Sequence, residues 1–251
     1  NMQFFDEQKG IISGEYIGVY KTLNGGDTWQ KIYSTDNEAY VGSVSFVNEN
    51  TGYIQVKISS KILRTTNGGA SWVEVYDSPK SVSNIIFINE LTGFTNEYAG
   101  MNVPNVIRRT TTGGITWDSV STVPYQVKQF EKLNGNTVLA LTHDGKLLKT
   151  TDLANSWQTL LDVNTTAGNL SVINQNSFVV THYSEKAMLT TDGGQTWTTK
   201  NTPMNSIAFA NNAGDLILAG DNYINKLYKI SSNWNQMTDV FENKITQNLI
   251  N

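Results

Sequence analysis

Two histidines, three arginines and a scatter of carboxylates are the residues in this chain with chemistry to offer, and there is no cysteine. The missing thiol removes disulfides, thiolate nucleophiles, iron–sulfur ligation and Cys-based zinc sites together. His143 and His182 each follow a threonine, 39 residues apart, and are expected at one repeated position. A pair of imidazoles on neighbouring repeats would begin a metal site, with Asp144 or Glu185 as a third ligand. No H-E-x-x-H spacing accompanies them and repeat ancestry explains the coincidence, so no metal is expected. Glycoside cleavage needs two carboxylates roughly 5–10 Å apart, and Glu15, Glu97, Asp144, Glu185 and Asp221 are the candidates. There is no G-x-S-x-G elbow, phosphate loop or dinucleotide fingerprint, so no catalytic residue and no cofactor is assigned.

The elements that would position such groups are set by a repeat. The six Trp stand at Trp29, Trp72, Trp117, Trp157, Trp197 and Trp234, at intervals of 43, 45, 40, 40 and 37 residues. The strings before them recur: TLNGGDTW (22–29), TTNGGASW (65–72), TTTGGITW (110–117), TTDLANSW (150–157) and TTDGGQTW (190–197), with a short sixth copy, SSNW (231–234). A period of about 41 residues signals a repeat architecture, and with strands it is propeller-like. Within one period, Val44–Val47, Tyr53–Lys57, Ile62–Thr65 and Ser71–Val75 are four short β-rich runs separated by turn residues, the pattern of an antiparallel meander. The first half repeats as well, in FFDEQKGI (4–11), FVNENTGY (46–53) and FINELTGF (87–94). Composition agrees: Asn and Thr number 29 each, against 11 Ala, which disfavours helix throughout.

The eight-residue string resembles the Asp-box (BNR) repeat, Ser/Thr-x-Asp-x-Gly-x-Thr-Trp. With the Phe-x-Asx-Glu-x-x-Gly signature the resemblance extends over nearly the whole chain, and it is nearest to propellers of the photosystem II stability/assembly-factor type. It implies an all-β β-propeller, and counting the six boxes gives a six-bladed β-propeller of four-stranded antiparallel blades, a single domain over 1–251, with each repeat ending near its Trp. A strand around 245–250 would close the ring, and a seventh blade is the alternative. The third box position is Asn24, Asn67, Thr112, Asp152 and Asp192 in turn, and copy four replaces the Gly pair by Leu153-Ala154. In this family box residues are structural, so these departures bear on blade stability. Sialidases on the same scaffold use three Arg from separate blades. Here the Arg are Arg64, Arg108 and Arg109, two of them adjacent and pointing to opposite faces of a strand, which argues against that activity. Xyloglucanase relatives use two propellers, and this chain has length for one. The basic patch of the assembly-factor relatives is short of Arg here.

The boxes are turns between third and fourth strands, so the loops between second and third strands, with those between blades, form the opposite face. Eight of the eleven Tyr are expected in these loops: Tyr16, Tyr33, Tyr40, Tyr76, Tyr98, Tyr125, Tyr183 and Tyr223. Tyr offers contact area at low entropic cost together with a polar handle. Tyr16, Tyr98, His143, His182, Tyr183 and Tyr223 are therefore the expected ligand-binding residues, and the longest loop, 96–105, is the expected functional insertion. Net charge of −4 excludes nucleic acid as a partner, and no apolar run approaches the roughly 18 residues needed to enter a membrane as a helix. The expectation is a monomeric, secreted, periplasmic or cell-surface propeller, its signal peptide already removed, that binds a protein or glycan without catalysis. A non-sialidase glycoside hydrolase is the alternative.

Overall fold

The computed structural model describes residues 2–14, 17–34, 40–57, 59–98, 104–123, 126–183 and 186–201 with their side chains, and four further strands between Ser206 and Asp239 as backbone. Every element is a strand. The first sheet holds β1 (Met2–Phe4), β2 (Gly10–Gly14), β3 (Gly18–Thr22) and β4 (Gln30–Tyr33), and the second β5 (Val41–Phe46), β6 (Gly52–Val56), β7 (Lys61–Thr65) and β8 (Val73–Asp77). The third holds β9 (Val82–Phe87), β10 (Gly93–Glu97), β11 (Asn105–Thr110) and β12 (Asp118–Val123). The fourth holds β13 (Val127–Asn134), β14 (Thr137–Thr142), β15 (Lys146–Thr150) and β16 (Gln158–Asp162). The fifth holds β17 (Ala167–Val172), β18 (Phe178–His182), β19 (Lys186–Thr190) and β20 (Thr198–Asn201). The backbone strands are β21 (Ser206–Ala210), β22 (Leu216–Gly220), β23 (Leu227–Ile230) and β24 (Met237–Asp239). Each sheet is an antiparallel meander in chain order. Among the described residues no helix is long and apolar enough to cross a membrane.

The blade count predicted from the repeat, six or seven, needs correction. Side-chain packing defines five blades, between Met2 and Asn201, giving an all-β propeller of five four-stranded antiparallel blades. Over 206–239 a further four-stranded antiparallel ladder, β21–β24, is described as backbone. The expected closing strand at 245–250 lies outside the described residues. The chain divides into two compact units, Asn1–Asn136 with Thr151–Ser156, and Thr137–Thr150 with Trp157–Asn251.

Both repeated signatures have a local physical cause. In the first half, Phe4, Phe46 and Phe87 are the cross-strand partners of Gly10, Gly52 and Gly93. Each ring lies over its glycine so closely that a Cβ at Gly52 would stand 2.5 Å from Phe46. The Asx residue that follows closes the turn: Asn48 Oδ1 accepts from the amides of Asn50 and Thr51, and Asp6, Asn89 and Asn174 repeat the arrangement. In the box, the first Thr hydroxyl accepts the amide of the second Gly, at 2.9–3.0 Å in copies one, two, three and five. The third box residue accepts the amide four residues on in every copy, whether it is Asn24, Asn67, Thr112, Asp152 or Asp192. A hydroxyl or carboxamide thus replaces the carboxylate without loss of the turn. Leu153 and Ala154 keep the left-handed backbone of the missing glycines, at φ 60° and 67°. The amides of Gly25, Gly68, Gly113 and Gly193 bond carbonyls of the turn joining first and second strands, so both turns of that face are tied together.

The Trp rings join blades. Trp72 Nε1 donates to Ile32 O at 2.9 Å, and the ring meets Phe46 of its own blade and Tyr33 of the preceding one edge-on. Trp117 meets Phe87 of its own blade edge-on and Tyr76 of the preceding one at a tilt, but its Nε1 donates to Gly114 O within its own box; in the second unit Trp197 packs on Phe178 and donates to Leu160 O. Tyr53 stacks on Phe87 with centroids 3.4 Å apart and donates its hydroxyl to Glu90 O. Tyr33 and Tyr76 therefore sit on outer strands, as packing partners of the next Trp, and the expectation that they occupy loops is corrected. First strands are stitched by polar groups: Ser43 and Ser45 hydroxyls accept the amides of Ile85 and Phe87, and Asn84 Nδ2 donates to Val127 O.

Candidate functional site

In the second, third and fifth blades the second strand is buried along its whole length, and its last residues mark the face opposite the boxes. Register fixes the equivalences there. Val56, Glu97 and His182 each pair with the first residue of their blade's first strand, Val41, Val82 and Ala167. Counted from the box threonines Thr150 and Thr190, Thr142 occupies that position in the fourth blade. His143 is consequently equivalent to Tyr183 and Tyr98, not to His182, and the expectation that the two His share a position is corrected. Strand side chains alternate faces, so an offset of one residue sends them apart. His143 is exposed and His182 is 2% exposed. The sequence carried the signal: Trp157 and Trp197 are 40 residues apart, whereas the His are 39.

At the last strand position, Glu97 forms the strongest electrostatic feature of the first unit. Its side chain is 1% exposed, Arg108 Nε donates to Oε2, and Lys80 Nζ lies 3.0 Å from Oε1 at the rim. Burial favours the neutral carboxyl, but the two cations outweigh it and hold the pKa below the ordinary value, while the Arg108 pKa is raised by Glu97. In the second unit Asp144 accepts from the Thr142 hydroxyl and from Lys146 Nζ at 2.9 Å. The two of the five expected carboxylates that are described thus pair with cations within their own blades. His182 is buried on β18. Burial lowers its pKa, the Thr166 main chain opposes this, and neither ring nitrogen completes a hydrogen bond among the described residues. Among the described residues no group of three His, Asp or Glu could hold a metal.

One residue further on, the chain turns outward. Tyr98 is 40% and Tyr183 43% exposed, and each donates its amide to the residue just before the first strand of its blade, Ser81 O and Thr166 O. Lys57 does the same to Tyr40 O. The ring position is therefore set by backbone even where the side chain faces water. Residues 99–103 of the expected insertion, with Glu15, Tyr16, Tyr125, Glu185, Asp221 and Tyr223, lie outside the described residues; Asn96, Glu97 and Asn105 belong to strands. The arginines are spent structurally: Arg64 lies over the Tyr53 ring, and Arg109 Nη1 donates to Leu153 O.

Residues missed by sequence reasoning sit one place earlier on the second strand. Gln55 and Asn96, equivalent in register, are 1% and 0% exposed, and the Nε2 of one and Nδ2 of the other have no partner among the described residues. A Gln and an Asn inside the buried second strands GYIQV and GFTNE were the available signal.

The family profile described as photosynthesis system II assembly factor YCF48 matches residues 36–178, more than half of the chain. The chain belongs to this family. A search against curated protein sequences returns no match. Among solved structures, the family's YCF48 bound to D1 peptide is 17% identical with a TM-score of 0.73, over 96% of this chain and 80% of that one. YCF48 from Cyanidioschyzon merolae is 13% identical, with a TM-score of 0.51 over 86% and 91%. An ancestral GH74 enzyme is 17% identical, with a TM-score of 0.71, over 95% of this chain but 38% of the enzyme. At these identities the likenesses establish the propeller fold.

Proposed function

We propose that this protein is a non-catalytic binding module that takes a segment of another protein on the face opposite its boxes. The observation carrying this is the outward step at one register position, where Tyr98 in one unit and His143 and Tyr183 in the other leave the second strand toward solvent. Exposed rings on pinned backbone are suited to recognition, because little order remains to be lost on binding. A member of the family solved with D1 peptide supports a peptide as the class of partner. Catalysis is disfavoured by the state of the carboxylates: Glu97, ion-paired on both oxygens, has no proton to give at neutral pH. The charge-poor, Asn/Thr-rich composition supports an extracytoplasmic location. The test is capture from a displayed library of peptides, with D1 peptide as one probe. Tyr98→Ala and Tyr183→Ala are each expected to weaken capture about tenfold without moving the unfolding midpoint. Equal capture by both variants overturns the assignment of the face.

A further inference from the structure

Five Asx-Gly pairs occur in the chain, beginning at Asn24, Asn67, Asn134, Asp144 and Asp192. Such pairs share a chemistry: the glycine amide nitrogen can attack the carbonyl carbon of the preceding side chain, and glycine has no Cβ to crowd the ring that forms. Attack needs two freedoms. The amide must be able to give up its proton, and the Asx backbone must be able to turn that nitrogen onto Cγ. A hydrogen bond from the amide removes the first, and bonds to the side chain remove the second.

Four of the five pairs are locked. The amides of Gly25, Gly68 and Gly193 donate to Gln8 O, Asn50 O and Asn176 O at 2.8 Å, and that of Gly145 donates to Thr142 O at 3.1 Å. In the boxes the side chain is committed as well: Asn24 Oδ1 accepts from Thr28 N while Nδ2 donates to Thr28 Oγ1, and Asn67 does the same with Ser71. Asp144 is held by Lys146, and Asp192 by Thr190 and Thr196. Asn134-Gly135 is different. Asn134 is the last residue of β13, Gly135 opens the turn to β14, and both are exposed. Gly135 has φ 43°, a Cβ there would meet nothing within 4 Å, and its amide makes no hydrogen bond among the described residues.

We propose that Asn134 is a site of spontaneous covalent modification, converting through a succinimide to aspartate and isoaspartate while Asn24 and Asn67 stay intact. Gly135 N gives its proton to solvent base and bonds Asn134 Cγ. The Cγ–Nδ2 bond then breaks, and the nitrogen leaves as ammonia with a proton taken from water. Water opens the ring at Cγ to give aspartate, or at the main-chain carbonyl carbon to give isoaspartate, which adds a carbon to the path of the chain. No oxidant or further reactant enters. Because β13 ends at Asn134, only the final residue of the strand has to give way for the nitrogen to reach Cγ. Either product places a negative charge in a turn between first and second strands, the end of the blade that carries its box, and leaves the proposed binding face untouched.

The test is peptide mapping of the full chain after incubation in mildly alkaline buffer, once folded and once in urea. Trypsin places the three Asn-Gly pairs in separate peptides, 22–31, 65–80 and 133–146. In the folded chain the mass gain of amide-to-acid conversion should appear in 133–146, localised to Asn134 by fragmentation, at least about tenfold faster than in the other two peptides. In urea the three should convert at similar rates, because the same dipeptide is then equally free in each. Conversion of Asn24 or Asn67 in the folded chain as fast as Asn134 overturns the proposal. So does an unchanged Asn134 in the folded chain, or the same preference for Asn134 in urea, which would take the fold out of the cause.

Discussion

The two glycines of a box do different work, and alanine at each separates backbone strain from packing. In the fifth copy Gly193 has φ 75° and its nearest atom to an added Cβ is Asn176 Oδ1 at 3.9 Å. Gly193→Ala therefore carries only left-handed strain, about 1–2 kcal/mol, less about 0.4–1 kcal/mol from a stiffer unfolded chain. The net loss is about 0.5–1 kcal/mol. Gly194, at φ 96°, would place its Cβ 2.8 Å from Leu160 Cδ1 and 3.2 Å from Leu160 Cβ, on the preceding blade. Overpacking adds about 1–3 kcal/mol, so Gly194→Ala should cost about 2–4 kcal/mol. Gly69→Ala is expected to be worse, because Ile32 Cβ stands at 2.8 Å on a stiff β-branched side chain. Copy four is the natural precedent for the first position, since Leu153 already holds φ 60°. Urea unfolding of the full chain followed by Trp fluorescence reads the difference. Equal losses at 193 and 194 would refute the view that the second glycine exists to admit the neighbouring blade.

Other outcomes follow from single contacts. Trp72→Phe should cost about 2–3 kcal/mol, since it orphans Ile32 O as well as shrinking the ring. Trp157→Phe should cost less by about 1 kcal/mol, because the buried Trp157 Nε1 has no partner among the described residues, and denaturation midpoints compare the two. Glu97→Gln should destabilise by about 2–3 kcal/mol by leaving Arg108 uncompensated. Because the Glu97 pKa is depressed in the folded state, its stabilisation is present above the ordinary value of 4.5 and lost as pH falls through the folded value. Acid unfolding of Glu97→Gln should accordingly show a shallower slope in that window. His182 also has a depressed folded pKa, so its burial disfavours folding as pH falls below the ordinary 6.5. His182→Phe should remove that part of the acid sensitivity, measured as melting temperature between pH 7 and 5.

The meander, the boxes and the Phe-over-Gly signature were legible because each is local: strand, turn and cross-strand partner lie within one period. The blade count was less so, since counting Trp counts motifs, while a blade is defined by what packs on it. Tyr33 and Tyr76 were misplaced for a related reason. Their role depends on Trp72 and Trp117 of the following blades, about 40 residues away, and strand ends look like loops in sequence. The His pair shows the reach of register, where one residue decides between a solvent-facing imidazole and a buried one. Gln55 and Asn96 were legible only as amides inside strands, because nothing in a sequence says that an amide lacks a partner.

The opposite ends of a blade are built on opposite principles. At the box end each exposed hydroxyl, carboxamide or carboxylate of the motif meets a backbone amide, and the amide of the first glycine ties that turn to its neighbour. Such an end tolerates Asn, Thr or Asp alike, since any of them can accept one amide. At the other end the register is broken by bulges, an ion pair is buried, and amides are left unpaired at 55 and 96. Unspent polar capacity costs stability, about 1–3 kcal/mol for each buried group left unpaired. The closed turns hold the strands in place, so the open end can carry that cost and still keep its groups in fixed positions.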